Sequence, residues 1–316
     1  KELMKHNTEI TNKIIELKKA GCKSRYIANL LGVSKSSVNY VFNRHMKTQV
    51  QIQEGPKVLF FDLETSAALV YCFGRHKQFI NQDSVKIEGG KLLCSGYRWM
   101  NEKKSTVLYN KSEVRAHEDY SVCLAMWDLF HQADIVVAHN LKGFDFKMLE
   151  VRCLANGLPP LPTVQLIDTL DIARKKFRFP SNKLDSLAAY LGLGHKVTHS
   201  GISLWVNVQE GDEQALSDMI EYCAGDVDLL YDVFMELRGR GLVSGVNFAN
   251  YYSDCTPRCK SCGSEQLSYT GRTVTTPTGV FNEVECNECG SLQRTKTNKL
   301  SKEKRASLMA APKVAS

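Results

Sequence analysis

Apolar positions recur at helical spacing at the start of the chain and turn strand-like further on. From Thr8 to Ala20, Ile10, Ile14, Ile15 and Leu17 fall on one side, and Gly21 closes the run. A second stretch from Ser24 places Ile27, Leu31, Val33, Val38 and Val41 as a seam, with small Ala28 where two helices can cross. Gly32 permits a tight turn between them, and Ser24 and Ser34 stand where N-caps belong. Residues 49–56 are polar and end in Gly55-Pro56, a linker signal. Lys57–Leu63 (KVLFFDL) is continuously apolar and β-prone, which predicts a buried strand. Lys91–Met100 and Ser105–Tyr109 read as two more strands, separated by the polar run Asn101–Lys104 in a hairpin-like arrangement. Val122–Phe130 reads as a helix and Ala133–Ala138 as a strand. Phe146–Asn156, Lys183–Leu191 and Glu213–Leu237 read as helices. Strands first, then strands alternating with helices, predict an α/β domain with a mixed sheet over residues 57–243. Two further strand-like runs, Ser268–Val274 and Gly279–Val284, lie within 253–294, and residues 295–316 read as a mobile basic tail.

Composition adds limits. The 316 residues are 43% hydrophobic, so a sizeable core is available and wholesale disorder is excluded. No run reaches the roughly 18–20 apolar residues of a membrane span, and the N-terminus has no apolar stretch of signal-peptide type. A soluble, cytoplasmic protein is the expectation. The formal charge of +7 is uneven. Residues 1–50 hold ten basic and three acidic residues, residues 292–316 seven and one, and the middle is left with six net negative charges. Basic ends suit a polyanion and an acidic body suits bound cations, although two solvated ends would give the same counts.

The acidic body carries a pattern with chemical meaning. Asp62 and Glu64 close the first strand as D-x-E, so both carboxylates point to one face. They would repel each other unless a cation lay between them, or unless the strand end were simply solvated. Asp145 ends the run His139-Asn140-Leu141-Lys142-Gly143-Phe144-Asp145 after a strand, where an acid can also cap a helix. Tyr222 and Asp226 stand one helical turn apart in Tyr222-Cys223-Ala224-Gly225-Asp226. Taken together and in order, FDLET, HNLKGFD and YCAGD resemble the three motifs of the DEDD superfamily of 3′–5′ exonucleases, whose fold is ribonuclease H-like. The Y-x-x-x-D spacing is that of the DEDDy subclass, which includes proofreading domains of DNA polymerases. The resemblance spans about residues 57–240, and the spacing selects Asp226 over Asp228.

The resemblance implies a two-metal phosphodiester hydrolysis with Mg²⁺ or Mn²⁺. Those ions prefer oxygen ligands. It implies that Asp62, Glu64 and Asp226 hold the ion that binds the attacking water, that Asp62 bridges to a second ion, and that Asp145 reaches it through waters. Tyr222 would orient the water rather than act as a base, since its reference pKa is about 10. Thr65, Ser66, His139 and Asn140 would contact the 3′ end of the substrate.

Residues 1–48 resemble the helix-turn-helix of transcription factors and transposases. The second helix, about Lys35–His45, would present Lys35, Ser36, Asn39 and Arg44 toward bases or phosphates. A trihelical protein-docking module has the same pattern. Of eleven cysteines, six are scattered and five crowd into 255–289, an odd and mostly unclustered set that argues against a disulfide framework. Cys259-x-x-Cys262-Gly and Cys286-x-x-Cys289-Gly are two knuckles with 23 residues between them. Four thiolates so placed predict one structural Zn²⁺ in a zinc ribbon, with a redox pair as the alternative and Cys255 left over. The ribbon could serve nucleic acid or protein.

The combined expectation is a stand-alone metal-dependent exonuclease, of phage or bacterial type, acting on nucleic acid, with DNA favoured by its appended modules. An endonuclease or ribonuclease on the same fold is one alternative. A DNA-binding regulator with a silent nuclease domain is the other.

Overall fold

The computed structural model of the chain describes residues 2–19, 22–48, 55–74, 79–240 and 245–309, with N-terminal side chains described for residues 10–18 and 22–41. It divides into two compact units, residues 1–54 with 251–255, and residues 55–250 with 256–316.

The first unit holds α1 (Glu2–Lys19), α2 (Ser24–Leu31) and α3 (Lys35–Thr48). Its core is Ile14, Ile27, Ala28 and Val38, with Ile10, Leu17, Leu31, Val33 and Val41 packed around them, as the periodicity predicts. Gly32 takes the left-handed conformation (φ 64°) that ends α2. Ser34 caps α3 by accepting the Ser37 amide. Ser24 does not cap α2. It is already helical, and its hydroxyl donates to Asn39 Oδ1 instead.

The second unit is built on a five-stranded sheet in the order β5-β4-β1-β6-β7. In chain order, β1 (Val58–Thr65) is followed by the short β2 (Leu69–Val70) and β3 (Val85–Ile87), then β4 (Leu92–Trp99), β5 (Thr106–Tyr109), α4 (Lys111–Arg115), α5 (Tyr120–Gln132) and β6 (Ile135–Ala138). Next come α6 (Asp145–Ala155), β7 (Gln165–Asp168), α7 (Thr169–Lys176), α8 (Leu184–Leu191), α9 (Ile202–Gln209) and α10 (Glu213–Arg238). β1 runs antiparallel to β4 and parallel to β6, so the sheet is mixed and helices flank it. Val58, Leu59, Phe60 and Phe61 are all buried because helices cover both faces of β1, which is why its sequence does not alternate. Phe61 meets Phe130 of α5 edge-on, and Phe60 meets Tyr231 and Phe234 of α10. Asp62 and Glu64 share the face of Phe60 and therefore look toward α10. Opposite Asp62, Gly96 lets α10 come close: a Cβ there would lie 2.8 Å from Val227 and 3.0 Å from the Cys223 carbonyl.

Strand β7 and helices α4, α7 and α9 have no counterpart in the pattern reading. β7 is only four residues long and α7 follows it directly. The α9 stretch has apolar residues around most of its circumference, so it shows little helical period.

Beyond α10, β8 (Leu267–Thr276), β9 (Gly279–Cys286) and β10 (Leu292–Arg294) form a separate three-stranded sheet. This small sheet belongs to the same compact unit as the large one. Gly239, just past α10, abuts the backbone of Cys289, and the Phe248 amide donates to the Lys260 carbonyl at 2.8 Å. The expected tail is ordered at its start. Thr295 and Lys299 donate to the Asn282 and Val280 carbonyls along β9, and Ser301 caps α11 (Lys302–Ala306). Backbone pairing with β9, absent from any pattern of apolar residues, holds this segment. Residues 310–316 lie outside the described residues. Among the described residues no helix is long and apolar enough to cross a membrane.

Candidate functional site

The end of β1 and the middle of α10 bring acids together from opposite sides. One carboxylate oxygen each of Asp62 and Glu64 and the Cys223 sulfur lie within 4.8 Å of one another. Asp226 is 1% exposed. Its Oδ2 receives the ammonium of Lys196, while its Oδ1 is buried with no hydrogen-bond partner. A buried, unpaired carboxylate oxygen is costly, and a cation is what would satisfy it. Asp145, the first residue of α6, is also buried.

The electrostatics express the crowding. Burial, then the Asp226 charge, push Asp62 up to about 7, with Lys196 and the Leu63 backbone pulling the other way. Glu64 is pushed up to about 8 by burial and by Asp62 and Asp226, against the pull of the Trp205 N–H. Asp145 is raised well above the usual carboxylate range by burial and then by Asp62. Burial also raises Asp226, although Lys196 opposes it. For Lys196, burial disfavours the ammonium, but Asp226 outweighs it and its pKa ends above the ordinary value. All four acids thus resist ionising in the metal-free protein, and a divalent cation would reverse this.

A stability prediction follows. Carboxylates whose folded pKa exceeds the unfolded value stabilise the fold fully only below about pH 4, and that contribution fades as pH rises through about 7 to 8. Metal-free protein is therefore expected to melt at a lower temperature at pH 8.5 than at pH 6. Added Mn²⁺ should raise the melting temperature more at the higher pH. A melting temperature and Mn²⁺ increment independent of pH would contradict a cation site built on Asp62 and Glu64.

Other residues place these groups, and the sequence reading assigned none of them to the site. Trp205 Nε1 donates to Glu64 Oε2 at 3.0 Å and fixes that carboxylate. Lys196 Nζ also lies 3.2 Å from the Tyr222 hydroxyl. The Tyr222 ring sits edge-on to His199 (4.8 Å) and Trp205 (5.9 Å). Burial and then Asp226 raise the Tyr222 phenol above its ordinary value, so it keeps its proton. Lys196 and His199 stand in a loop with no periodic pattern; a cation and an imidazole shortly before a lone Trp were the signal available.

The turn leading to Asp145 is held by Asp168, also missed. Its carboxylate accepts the amides of Asn140 (3.0 Å) and Lys142 (3.1 Å) while capping α7. Asn140 sits at φ 72°, a left-handed position that Asn tolerates. His139 points inward: its ring nitrogens lie 2.9 Å from Thr169 Oγ1 and from the Asn182 carbonyl, and burial lowers its pKa, keeping it neutral. With both nitrogens engaged, it braces the turn and has none left for a 3′ end. Ser66 is likewise tied to Lys91, accepting its amide at 3.0 Å, whereas Thr65 is partly exposed. In the N-terminal unit, Lys35 is exposed, and the Ser36 hydroxyl is exposed and lies 2.8 Å from that of Ser34. Asn39 accepts the Ser24 hydroxyl at its Oδ1 (2.7 Å), which ties α3 to the start of α2. The Arg44 side chain lies outside the described residues.

A second cluster lies in the small sheet. The sulfurs of Cys259, Cys262, Cys286 and Cys289 are all within 4.8 Å of one another, with Cys259–Cys289 at 3.7 Å and Cys262–Cys286 at 3.6 Å. Tetrahedral Zn–S bonds of about 2.3 Å require sulfurs about 3.8 Å apart, so the set fits one zinc ion. The knuckles match each other. Gly263 and Gly290 take φ 80° and 67°, and their amides return to the Cys259 and Cys286 carbonyls at 2.8 Å. The Ser261 amide points at the Cys259 sulfur (3.4 Å). Cys255 is exposed and stands outside the four-sulfur cluster.

Comparison with known proteins places residues 59–237 as a match to the RNase H superfamily. No curated protein matches the sequence. Among solved structures, the family B DNA polymerase from the hyperthermophilic archaeon Pyrobaculum calidifontis is similar, with 15% identity and a TM-score of 0.43 over 58% of this chain. The chain spans about a quarter of that polymerase's length, 25%.

Proposed function

Since the chain belongs to the RNase H superfamily, we propose that it is a metal-dependent nuclease of the DEDDy type that removes nucleotides from a 3′ end. The observation that carries this reading is the facing pair of motifs: Asp62 and Glu64 on β1 lie against α10 beside Cys223, close enough for the Asp226 charge to act on both, and Asp226 Oδ1 has no partner. Two divalent ions, when bound, stabilise charge on the attacking and leaving oxygens of the phosphodiester.

The chain's own residues supply the rest. Asp62, Glu64 and Asp226 would hold one ion, and Asp62 together with Asp145, the latter through waters, would hold the other. The Trp205 N–H holds Glu64 in one orientation. Tyr222, boxed by His199 and Trp205, orients the attacking water through its hydroxyl and does not take a proton. Lys196 compensates Asp226 while no divalent ion is bound. The products are nucleoside 5′-monophosphates. We assign the three N-terminal helices as a helix-turn-helix that recruits DNA through Lys35 and Ser36, and residues 253–294 as a ribbon stabilised by one zinc.

The test is a gel assay on 5′-labelled single-stranded DNA, duplex DNA and RNA with Mg²⁺ or Mn²⁺. A ladder shortening from the 3′ end is expected on DNA. Discrete internal cuts would make the protein an endonuclease, and digestion confined to RNA a ribonuclease. Specific DNA binding with no cleavage on any substrate would make it a regulator with a silent site.

A further inference from the structure

Between the first acidic strand and β4 the chain makes an excursion of 25 residues, 67–91, that neither the core nor the acids account for. β2 and β3 pair in it, closed by the Tyr71 amide on the Ser84 carbonyl at 2.8 Å. Its outer part presents large apolar side chains to solvent. Leu69, Tyr71 and Ile80 are about half or more exposed, and Phe73 and Phe79 are essentially fully exposed. Apolar rings at such density on a surface mark a contact site. Lys86 of β3 lies 5.8 Å from the Tyr71 ring.

The excursion is rooted in the candidate active site. Its neck is pinned by Ser66 to Lys91 and Gly90 through three hydrogen bonds of 2.7 to 3.0 Å. The Gln209 side chain grips Ala67 at both its amide (2.8 Å) and its carbonyl (3.0 Å). Gln209 ends α9, the helix whose Trp205 holds Glu64. Tyr71 is seven residues beyond Glu64 and so lies at most about 25 Å from it.

We propose that this β2–β3 flap is a stacking platform for the unpaired strand that feeds the acid site, with Tyr71, Phe73 and Phe79 stacking on bases and Lys86 near the phosphates. The inference rests on the nuclease reading. Exposed aromatic rings with a lysine beside one of them suit single-stranded nucleic acid, because every base offers a π-face and every linkage a charge.

Two measurements on the full chain test it, neither blurred by the other. In the first, a Tyr71→Trp variant is titrated with oligothymidylate without added divalent ion, and indole emission is followed. Emission should be quenched, and combining the change with Phe73→Ala and Phe79→Ala should weaken the quenching. This reading needs no catalysis, so unchanged emission overturns the platform whether or not the protein cuts. In the second, Phe73→Ala/Phe79→Ala is compared with wild type on a single-stranded oligonucleotide and on thymidine 5′-p-nitrophenyl phosphate, which reaches the acids but has no strand. Loss of each stacked ring should lower kcat/KM on the oligonucleotide about tenfold, with hydrolysis of the small ester unchanged. Equal loss on both substrates, or no loss on either, overturns the proposal. So does a wild-type dimer that the variant turns into a monomer without changing strand digestion, which would make the flap a protein interface. Failure of wild type to cleave either substrate refutes the nuclease reading and leaves the emission titration to decide the flap.

Discussion

Asp62→Asn is expected to abolish phosphodiester hydrolysis while raising the melting temperature of the metal-free protein at pH 8. The two effects have one cause. Asp62 is the acid that the others act upon: burial and the Asp226 charge raise its own pKa, and its charge in turn raises Glu64 and Asp145. Asparagine keeps the shape and removes the charge. Without divalent ions the change relieves repulsion, and Glu64 and Asp145 should ionise more readily. With them, the residue proposed to touch both ions is lost. A fall in kcat of about 10³-fold or more is expected, equivalent to roughly 4 kcal/mol of transition-state stabilisation. Thermal melts at pH 8 without metal should show a rise of a few degrees, and the Mn²⁺-induced increment should shrink. A variant that cuts at the wild-type rate would refute the assignment of Asp62. A variant that is inactive and melts lower would mean Asp62 holds the fold, not a cation.

Cys262→Ser is expected to abolish zinc binding at the proposed four-thiolate site and unfold the small sheet while the large one persists. Apart from cysteine, the buried apolar side chains on its strands are Phe281 and Val284, with the Arg294 guanidinium over the Phe281 ring at 4.0 Å. A core that small does not offset the entropy of ordering some forty residues. Structural zinc supplies about 10–16 kcal/mol in comparable small domains, so its loss exceeds what the strands can make up. Elemental analysis should find one zinc per wild-type chain and none in the variant. Cobalt substitution of the wild type should give the visible bands of tetrahedral thiolate coordination. Limited proteolysis should cut the variant between residues 256 and 300 and leave a fragment containing residues 57–238. Because Gly239 lies against the Cys289 backbone, the end of α10 should become more accessible as well. An intact, protease-resistant small sheet without metal would show that packing alone holds it.

Much of this was readable from the chain. Continuous burial of β1 came from KVLFFDL, because a central strand covered on both faces has no polar positions to alternate with. The D-x-E spacing put Asp62 and Glu64 on one face before any neighbour was known, since strand side chains alternate with a period of two. The C-x-x-C-G knuckles were legible because the thiolate spacing and the left-handed turn are both local. The N-terminal seam of Ile14, Ile27 and Val38 was legible for the same reason, through its 3.6-residue period.

What the chain could not disclose are contacts between residues far apart in sequence with no shared period. Trp205 and Glu64 are 141 positions apart and meet at one hydrogen bond. Lys196 reaches Asp226 from a loop with three left-handed glycines, 192, 194 and 201, and no amphipathic pattern. His139 was a polar residue beside a good motif, which made it a candidate for substrate; Thr169 and the Asn182 carbonyl engage both of its ring nitrogens instead. The sequence by itself determined which residue types stand at which local spacing, and so the α/β class, the paired acids and the four-thiolate set. Only the tertiary structure decided which side chain orients each acid, because burial, hydrogen-bond geometry and charge depend on distance in space, and a chain folded through a mixed sheet does not preserve distance along the sequence.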